Sequence, residues 1–297
     1  MLTKIVLGLI FILIVFFTVI FLRDISQARA ANLLEKETSF WKMGIVGFIA
    51  LFLDSLGIGS FNTITPMVKN FKLTKDKTLP GTLMVSTTIG GAVEAFIFVT
   101  AIKVDPTTLI VTTIMASLGG FIGAGIISKL PEKFIQLAMG TALAVVAALI
   151  LLGQLKLMPA GGEAIGLSGV NLIIAGAVVF VLGALMNIGI GFFAPCMALV
   201  YAMGMSPAAA FPIMMAACAF LQPTASLKFI REGTYDRKAS LAITIFGVIG
   251  ALIACLIVKS IPLAALKWII LVVVLYTSLK MFKSYAVNKH GENSTVA

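Results

Sequence analysis

Two carboxylates and two glycine turns are the residues of this sequence best suited to chemistry. Asp54 and Glu94 stand well inside apolar stretches, where a charge is costly and usually serves an ion or substrate path. Asp54 opens the run Asp54-Ser55-Leu56-Gly57-Ile58-Gly59-Ser60-Phe61-Asn62-Thr63-Ile64-Thr65-Pro66, and a related run recurs as Asn187-Ile188-Gly189-Ile190-Gly191-Phe192-Phe193-Ala194-Pro195-Cys196. Gly57 and Gly59 precede Gly189 and Gly191 by 132 residues. Broken, Gly/Pro-interrupted segments at matching places in two halves point to a transporter's binding site. Glycine permits the sharp turn and lets a ligand approach the backbone. A helix restarting after such a turn presents free N–H groups and the positive end of its dipole, which suits an anion.

Ser60, Asn62 and Thr63 add donors beside Phe61 in the first half, whereas Phe192, Phe193 and Cys196 make the second half less polar. Two such tips meeting near mid-membrane predict one small anion pocket with a polar and an apolar wall. Gln222, Thr224 and the run Ser86-Thr87-Thr88 are candidates to line the path, although Ser and Thr in membrane helices often bond to their own backbone instead. Asp54 and Glu94 are candidates to carry a proton coupled to the anion. The plainer alternative is pairing with a lysine such as Lys69 or Lys103. Met186 occupies the place of Asp54 in the second half, so the halves are not equivalent.

Composition excludes other chemistries. The chain of 297 residues is 60% hydrophobic and 11% charged, against about 25% charged in a soluble domain, so it reads as a polytopic protein whose partner is the lipid bilayer. The net charge of +10 reflects Lys and Arg in short loops, with no basic stripe interleaved with aromatics for nucleic acid. Cys196, Cys218 and Cys255 lie in apolar spans without ligand spacing, and Cys218 and Cys255 read as small packing residues. The single histidine, His290, sits in the polar tail. No metal set, cofactor motif or G-x-x-x-x-G-K-[ST] is present. An intramembrane enzyme would need a nucleophile–base pair, and none is visible. A purely structural component would need no polar breaks at equivalent sites.

The elements that position these residues follow from apolar runs of about 20 residues. The organisation predicted is all-α: residues 1–42, a membrane helix over Leu2–Leu22 with a charged connector; 43–156, the first repeat; 157–169, a linker; 170–285, the second repeat; and 286–297, a polar tail. Each repeat holds one broken segment and three spans. In the first repeat these are Met43–Phe71, then Leu79–Ile102, Pro106–Ser128 and Phe134–Leu155. In the second they are Val170–Gly204, then Pro207–Ile230, Lys238–Lys259 and Leu263–Phe282. Pro80 answers to Pro212 at the same offset, and Asp105 to Asp236 and Pro131 to Pro262 at an offset of 131.

If each broken segment enters and returns, the repeats are inverted; if each crosses, they are parallel. Re-entry places seventeen loop Lys and Arg residues on one side and three on the other, whereas crossing divides them thirteen to seven. Short-loop Lys/Arg bias sets orientation and favours re-entry, with Lys69–Lys77, Lys228–Lys238 and the C-terminus cytoplasmic. Val170–Ile188 is long enough to span by itself, which opposes the symmetry. Gly119, Gly120, Gly123 and Gly125 are spaced for close helix contact, between repeats or in a homodimer.

The duplicated Gly-Ile-Gly with a downstream proline, Pro80-Gly81-Thr82-Leu83, and Glu232-Gly233-Thr234-Tyr235-Asp236 ahead of a Gly-rich span resemble the TauE/SafE-type sulfite and organosulfonate transporters. The resemblance covers roughly Met43 to Phe282. Gly191-Phe192-Phe193-Ala194-Pro195 keeps the family's Gly-to-Pro spacing; in the first turn Ser60 replaces a glycine and Pro66 falls three residues late. The resemblance implies an export-type secondary carrier of a small sulfur-containing anion in the cell membrane. A same-fold carrier of another small anion or solute is the alternative.

Overall fold

The computed structural model describes residues 2–157, 162–189, 191–257 and 263–295. The correspondences that involve Ile190, Lys259 and Pro262 lie outside them, as do 158–161 of the linker and the last two residues of the tail. The elements are α1 (Leu2–Ala30), α2 (Phe40–Ser55), α3 (Ser60–Asn70), α4 (Leu79–Ala101), α5 (Pro106–Ile127), α6 (Glu132–Gln154), α7 (Gly169–Met186), α8 (Phe193–Ala202), α9 (Pro207–Glu232), α10 (Arg237–Ile257) and α11 (Leu263–Thr295). Among the described residues the only extended pairing is a bridge between Ala164 and Met205. Among the described residues, seven helices are long and apolar enough to cross a membrane: α1, α4, α5, α6, α7, α9 and α10. The protein is therefore a multi-pass membrane protein.

Helix length separates the broken elements from the rest. At 1.5 Å per residue, α3 with 11 residues and α8 with 10 are each about 15–17 Å long, half of the roughly 30 Å hydrocarbon core. α2, with 16 residues, is also short. α7 has 18 residues and is long and apolar enough to span by itself, as expected at Val170–Ile188, whereas α2 is not among the seven. The helices that bury most are α4 and α9, which pack on each other. α2 lies along α10 as α7 lies along α5, and α10 packs on α4 as α5 packs on α9; α6 pairs with α11. Exchanging the two halves maps this set of contacts onto itself.

Two boundaries differ from the expectation. α1 does not stop at Leu22 but continues to Ala30, because its buried stripe Phe17, Phe21, Ile25 and Ala28 keeps helical spacing beyond the apolar run. The connector shortens to 31–39 and α2 starts at Phe40. Likewise α11 continues through Thr295, so the polar tail is helical where it is described.

One carboxylate gathers several chain ends. Asp236 accepts from Thr38 Oγ1 at 2.5 Å, ahead of α2, and from Thr74 Oγ1 at 2.9 Å, behind α3. It also caps α10 by accepting from the Ala239 N–H at 2.8 Å. Beside it, Asp24 at the end of α1 pairs with Arg237 Nε at 2.7 Å and accepts from the Tyr235 hydroxyl. At the far end of α4, Asp105 caps α5 through the Thr108 N–H at 2.8 Å, and its own N–H donates to the Ile165 carbonyl at 2.8 Å. There the Ser206 N–H, behind α8, donates to the Ala164 carbonyl, ahead of α7, at 2.8 Å. The 23 residues of α4 place about 35 Å between these two clusters.

Burial raises the Asp236 pKa above its ordinary value of 3.8, and the bond from Thr38 works against that rise. A carboxyl raised on folding stabilises the fold fully below its unfolded pKa, and that contribution is lost as pH rises through the folded value. Acidification toward pH 4 is therefore expected to raise the unfolding midpoint of the detergent-solubilised chain, and Asp236→Asn to flatten that response. Asp236→Ala leaves buried donors unpaired and is expected to cost about 1–3 kcal/mol for each one not rescued by water, read by denaturant unfolding. A midpoint equally pH-dependent in Asp236→Asn would refute this assignment.

Candidate functional site

The two helix breaks meet. Leu56–Gly59 separates α2 from α3, and 187–192 separates α7 from α8. Gly59 and Gly189 carry φ of 91° and 87°, a region that L side chains avoid. A Cβ at Gly191 would lie 2.7 Å from Asn62 Oδ1, and one at Gly59 would lie 3.9 Å from Phe193 Cβ. The backbone of each break thus packs on the helix start of the other, and only a residue without a side chain fits at 191.

Between them lies a cavity of about 10 Å³, roughly the space that the centre of one water occupies. Its wall contains pairs matched at the offset of 132: Asp54 with Met186, Gly59 with Gly191, Ser60 with Phe192, and Phe61 with Phe193. The first member of the Asp54 and Ser60 pairs is polar and the second apolar, whereas Phe61 answers to Phe193 and Gln222 brings a polar group from the second half. α4 contributes Gly91 and Glu94, and α9 contributes Met215, Cys218 and Gln222. A Cβ at Gly91 would sit 2.8 Å from Gln222 Oε1 and would push that side chain aside.

Neither acidic residue pairs with the lysines considered as partners. Lys69 pairs with Asp76 instead. Asp54 Oδ1 accepts the Ser60 N–H at 2.8 Å and so occupies the N-terminus of α3. This corrects the view of that helix start as a free anion site: its dipole already faces a carboxylate of the same chain. No side-chain bond caps the start of α8; Pro195 has no N–H there and the Cys196 N–H donates to the Phe192 carbonyl, so at most the N–H groups of Phe193 and Ala194 are left for another partner. Glu94 Oε1 accepts from Ser55 Oγ at 2.6 Å, while Glu94 Oε2 and Gln222 Oε1 are buried without a hydrogen-bond partner.

Of the candidate residues, Asp54, Gly59, Ser60, Phe61, Glu94, Gly191, Phe192, Phe193 and Gln222 come together around the cavity. Gly57, Asn62, Thr63, Gly189 and Cys196 do not line it. Gly57 and Gly189 shape the turns. Asn62 folds back to donate to the Ile58 carbonyl at 2.9 Å, and Thr63 bonds Gly59 O at 3.4 Å. Thr87, Thr88 and Thr224 bond carbonyls of their own helices. Cys218, read as packing, reaches the wall; Gly91 and Met215 carried no polar signal by which to find them. Gly119 and Gly123 are closed by carbonyls of Phe180 and Ala184 in α7, and Gly120 by Leu221 in α9, so these glycines serve contacts within the chain.

The chain is thus a multi-pass bundle with a small cavity where two interrupted helices meet. The family model described as Sulfite exporter TauE/SafE matches residues 1–150 and 172–296, and the chain belongs to that family. The match extends over the N-terminal helix and the C-terminal residues, beyond the 43–282 stretch on which the resemblance rests. The unmatched interval contains the 157–169 linker. No curated protein matches the chain. The family is one of transporters, so the protein is a membrane transporter and not an enzyme.

Proposed function

We propose that the protein is a secondary carrier, by its family's description an exporter, of a small sulfur-containing anion such as sulfite or an organosulfonate. The anion binds between the two helix breaks, against the uncapped start of α8 and the Ser60 wall, with Asp54 and Glu94 as the coupling groups. The observation that carries this reading is the cavity flanked by matched residues of both repeats. The cavity holds about one water, so the breaks must part to admit any oxyanion, sulfite included.

The two repeats are inverted, and each broken segment enters and leaves at one face. Asp236 supports this by binding Thr38 and Thr74, which flank α2–α3. The Ala164–Ser206 contact supports it for α7–α8 at the other end of α4. Lysine bias then makes the Asp236 face cytoplasmic, in the cell membrane.

The test is uptake of labelled sulfite into proteoliposomes, competed by thiosulfate, sulfoacetate, taurine and lactate. Saturable uptake competed by the sulfur anions and not by lactate is expected. Competition by lactate alone would favour a same-fold carrier of another anion.

A further inference from the structure

We propose that the central cavity is also a monovalent cation site, formed by Asp54, Glu94 and Gln222, and that Na⁺ is its occupant. This rests on the carrier reading only for its consequence, not for its existence. The argument begins with charge. Asp54 and Glu94 both line the cavity and are 3% and 0% exposed, and among the described residues no Lys, Arg or His lines it. The other titratable wall residue is Cys218 on α9, which brings no positive charge. Two carboxylates buried without a counter-charge are strongly unfavourable, so a positive species completes the site.

The loose oxygens mark where the ion would sit. Asp54 Oδ1 is engaged by Ser60 N–H and Glu94 Oε1 by Ser55, but Glu94 Oε2 on α4 and Gln222 Oε1 on α9 are both buried and both lack a partner. Buried polar atoms of this kind call for an explanation, of which an ion is one. A proton on Glu94 Oε2 would let it donate to Gln222 Oε1, but it would leave Asp54 facing the cavity with no positive partner. A cation held among three oxygen-bearing side chains serves both orphaned atoms at once. All the donors are hard oxygens, which suit alkali and alkaline-earth cations. Ca²⁺ takes 6–8 oxygens and Mg²⁺ usually keeps several waters, more than a cavity of about 10 Å³ accommodates. A bare monovalent ion fits both the volume and the donor set.

The consequence concerns the anion. With both carboxylates ionised, the cavity repels the substrate that the start of α8 attracts; with the cation seated, the repulsion falls. Each ion therefore favours binding of the other, as reciprocity requires, and net anion movement follows the sum of the two gradients.

The test begins with the intact chain in detergent without any anion substrate. Its unfolding midpoint is titrated with NaCl, KCl, choline chloride and MgCl₂ at constant ionic strength and fixed pH. A saturable rise with Na⁺ alone, abolished in Glu94→Gln and in Gln222→Leu, is expected. Equal responses to all salts, or a response to lowered pH with none to Na⁺, would overturn the proposal; the wild-type comparison decides this even if a variant fails to fold. Sulfite affinity is then measured with Na⁺ or choline, and about a tenfold weakening without Na⁺ is expected. Sulfite binding that ignores Na⁺ would sink the coupling. Na⁺ binding without sulfite binding would leave the cation site standing and sink the anion reading.

Discussion

Gly191→Ala is expected to reduce transport of the anion by about a hundredfold while the chain still folds. The added methyl would fall 2.7 Å from Asn62 Oδ1 and 2.8 Å from its Nδ2. Asn62 is buried, and its amide is tied to the Ile58 carbonyl, so it has little room to retreat and the two breaks must move apart. A displacement of the order of 1 Å at a site that positions its ligand can cost about a hundredfold in rate. Overpacking itself costs about 1–3 kcal/mol, a tolerable loss for a bundle of this size. The defect expected lies in that contact. Gly125→Ala on α5 is the control, since a Cβ there meets nothing within 4 Å. Flux in proteoliposomes, normalised to monodisperse protein, compares the two; equal flux in both variants would detach the junction from transport.

Asp54 performs two tasks that substitutions can separate. As a cap, it holds the Ser60 N–H at the start of α3; as a charge, it faces the cavity with Glu94. Asp54→Asn keeps an acceptor for the cap and removes the charge. Its flux is expected to lose dependence on the driving cation gradient, a coupling worth about 5–150-fold, at nearly unchanged stability. Asp54→Ala loses both and is expected to cost a further 0.5–2 kcal/mol or about that for the missing cap. Flux under imposed gradients and denaturant unfolding provide the two readouts. An Asp54→Asn protein that still follows the gradient would assign coupling elsewhere, with Glu94 the next residue to examine.

Much of this arrangement is legible in the residues because membrane burial makes exceptions conspicuous. An apolar span has few reasons to contain a Gly-x-Gly pair, so its recurrence at a fixed offset marks both breaks, and Asp54 beside the first of them stands out for the same reason. Lys and Arg counts ranked the topologies because loop charge follows orientation. What periodicity and composition miss is long-range pairing. Nothing in the run around Asp54 says that its carboxylate bonds six residues onward to Ser60, or that Lys69 spends its charge on Asp76. Gly91 looks like another packing glycine until Gln222 of α9 is set against it. The extent of α1 was hidden for a related reason: Ile25 and Ala28 continue its buried stripe among charged neighbours, where hydropathy falls but helical spacing does not.

The central claim is that a sulfur anion crosses by alternating exposure of one site between the breaks. Counterflow tests it most directly: vesicles containing the protein are loaded with unlabelled sulfite, diluted, and given trace labelled sulfite. The account predicts transient accumulation of label above its external concentration, absent with Gly191→Ala and unaffected by lactate inside. Label that only equilibrates, at the same rate with or without internal sulfite, would contradict a carrier and point to a pore or to no sulfite path.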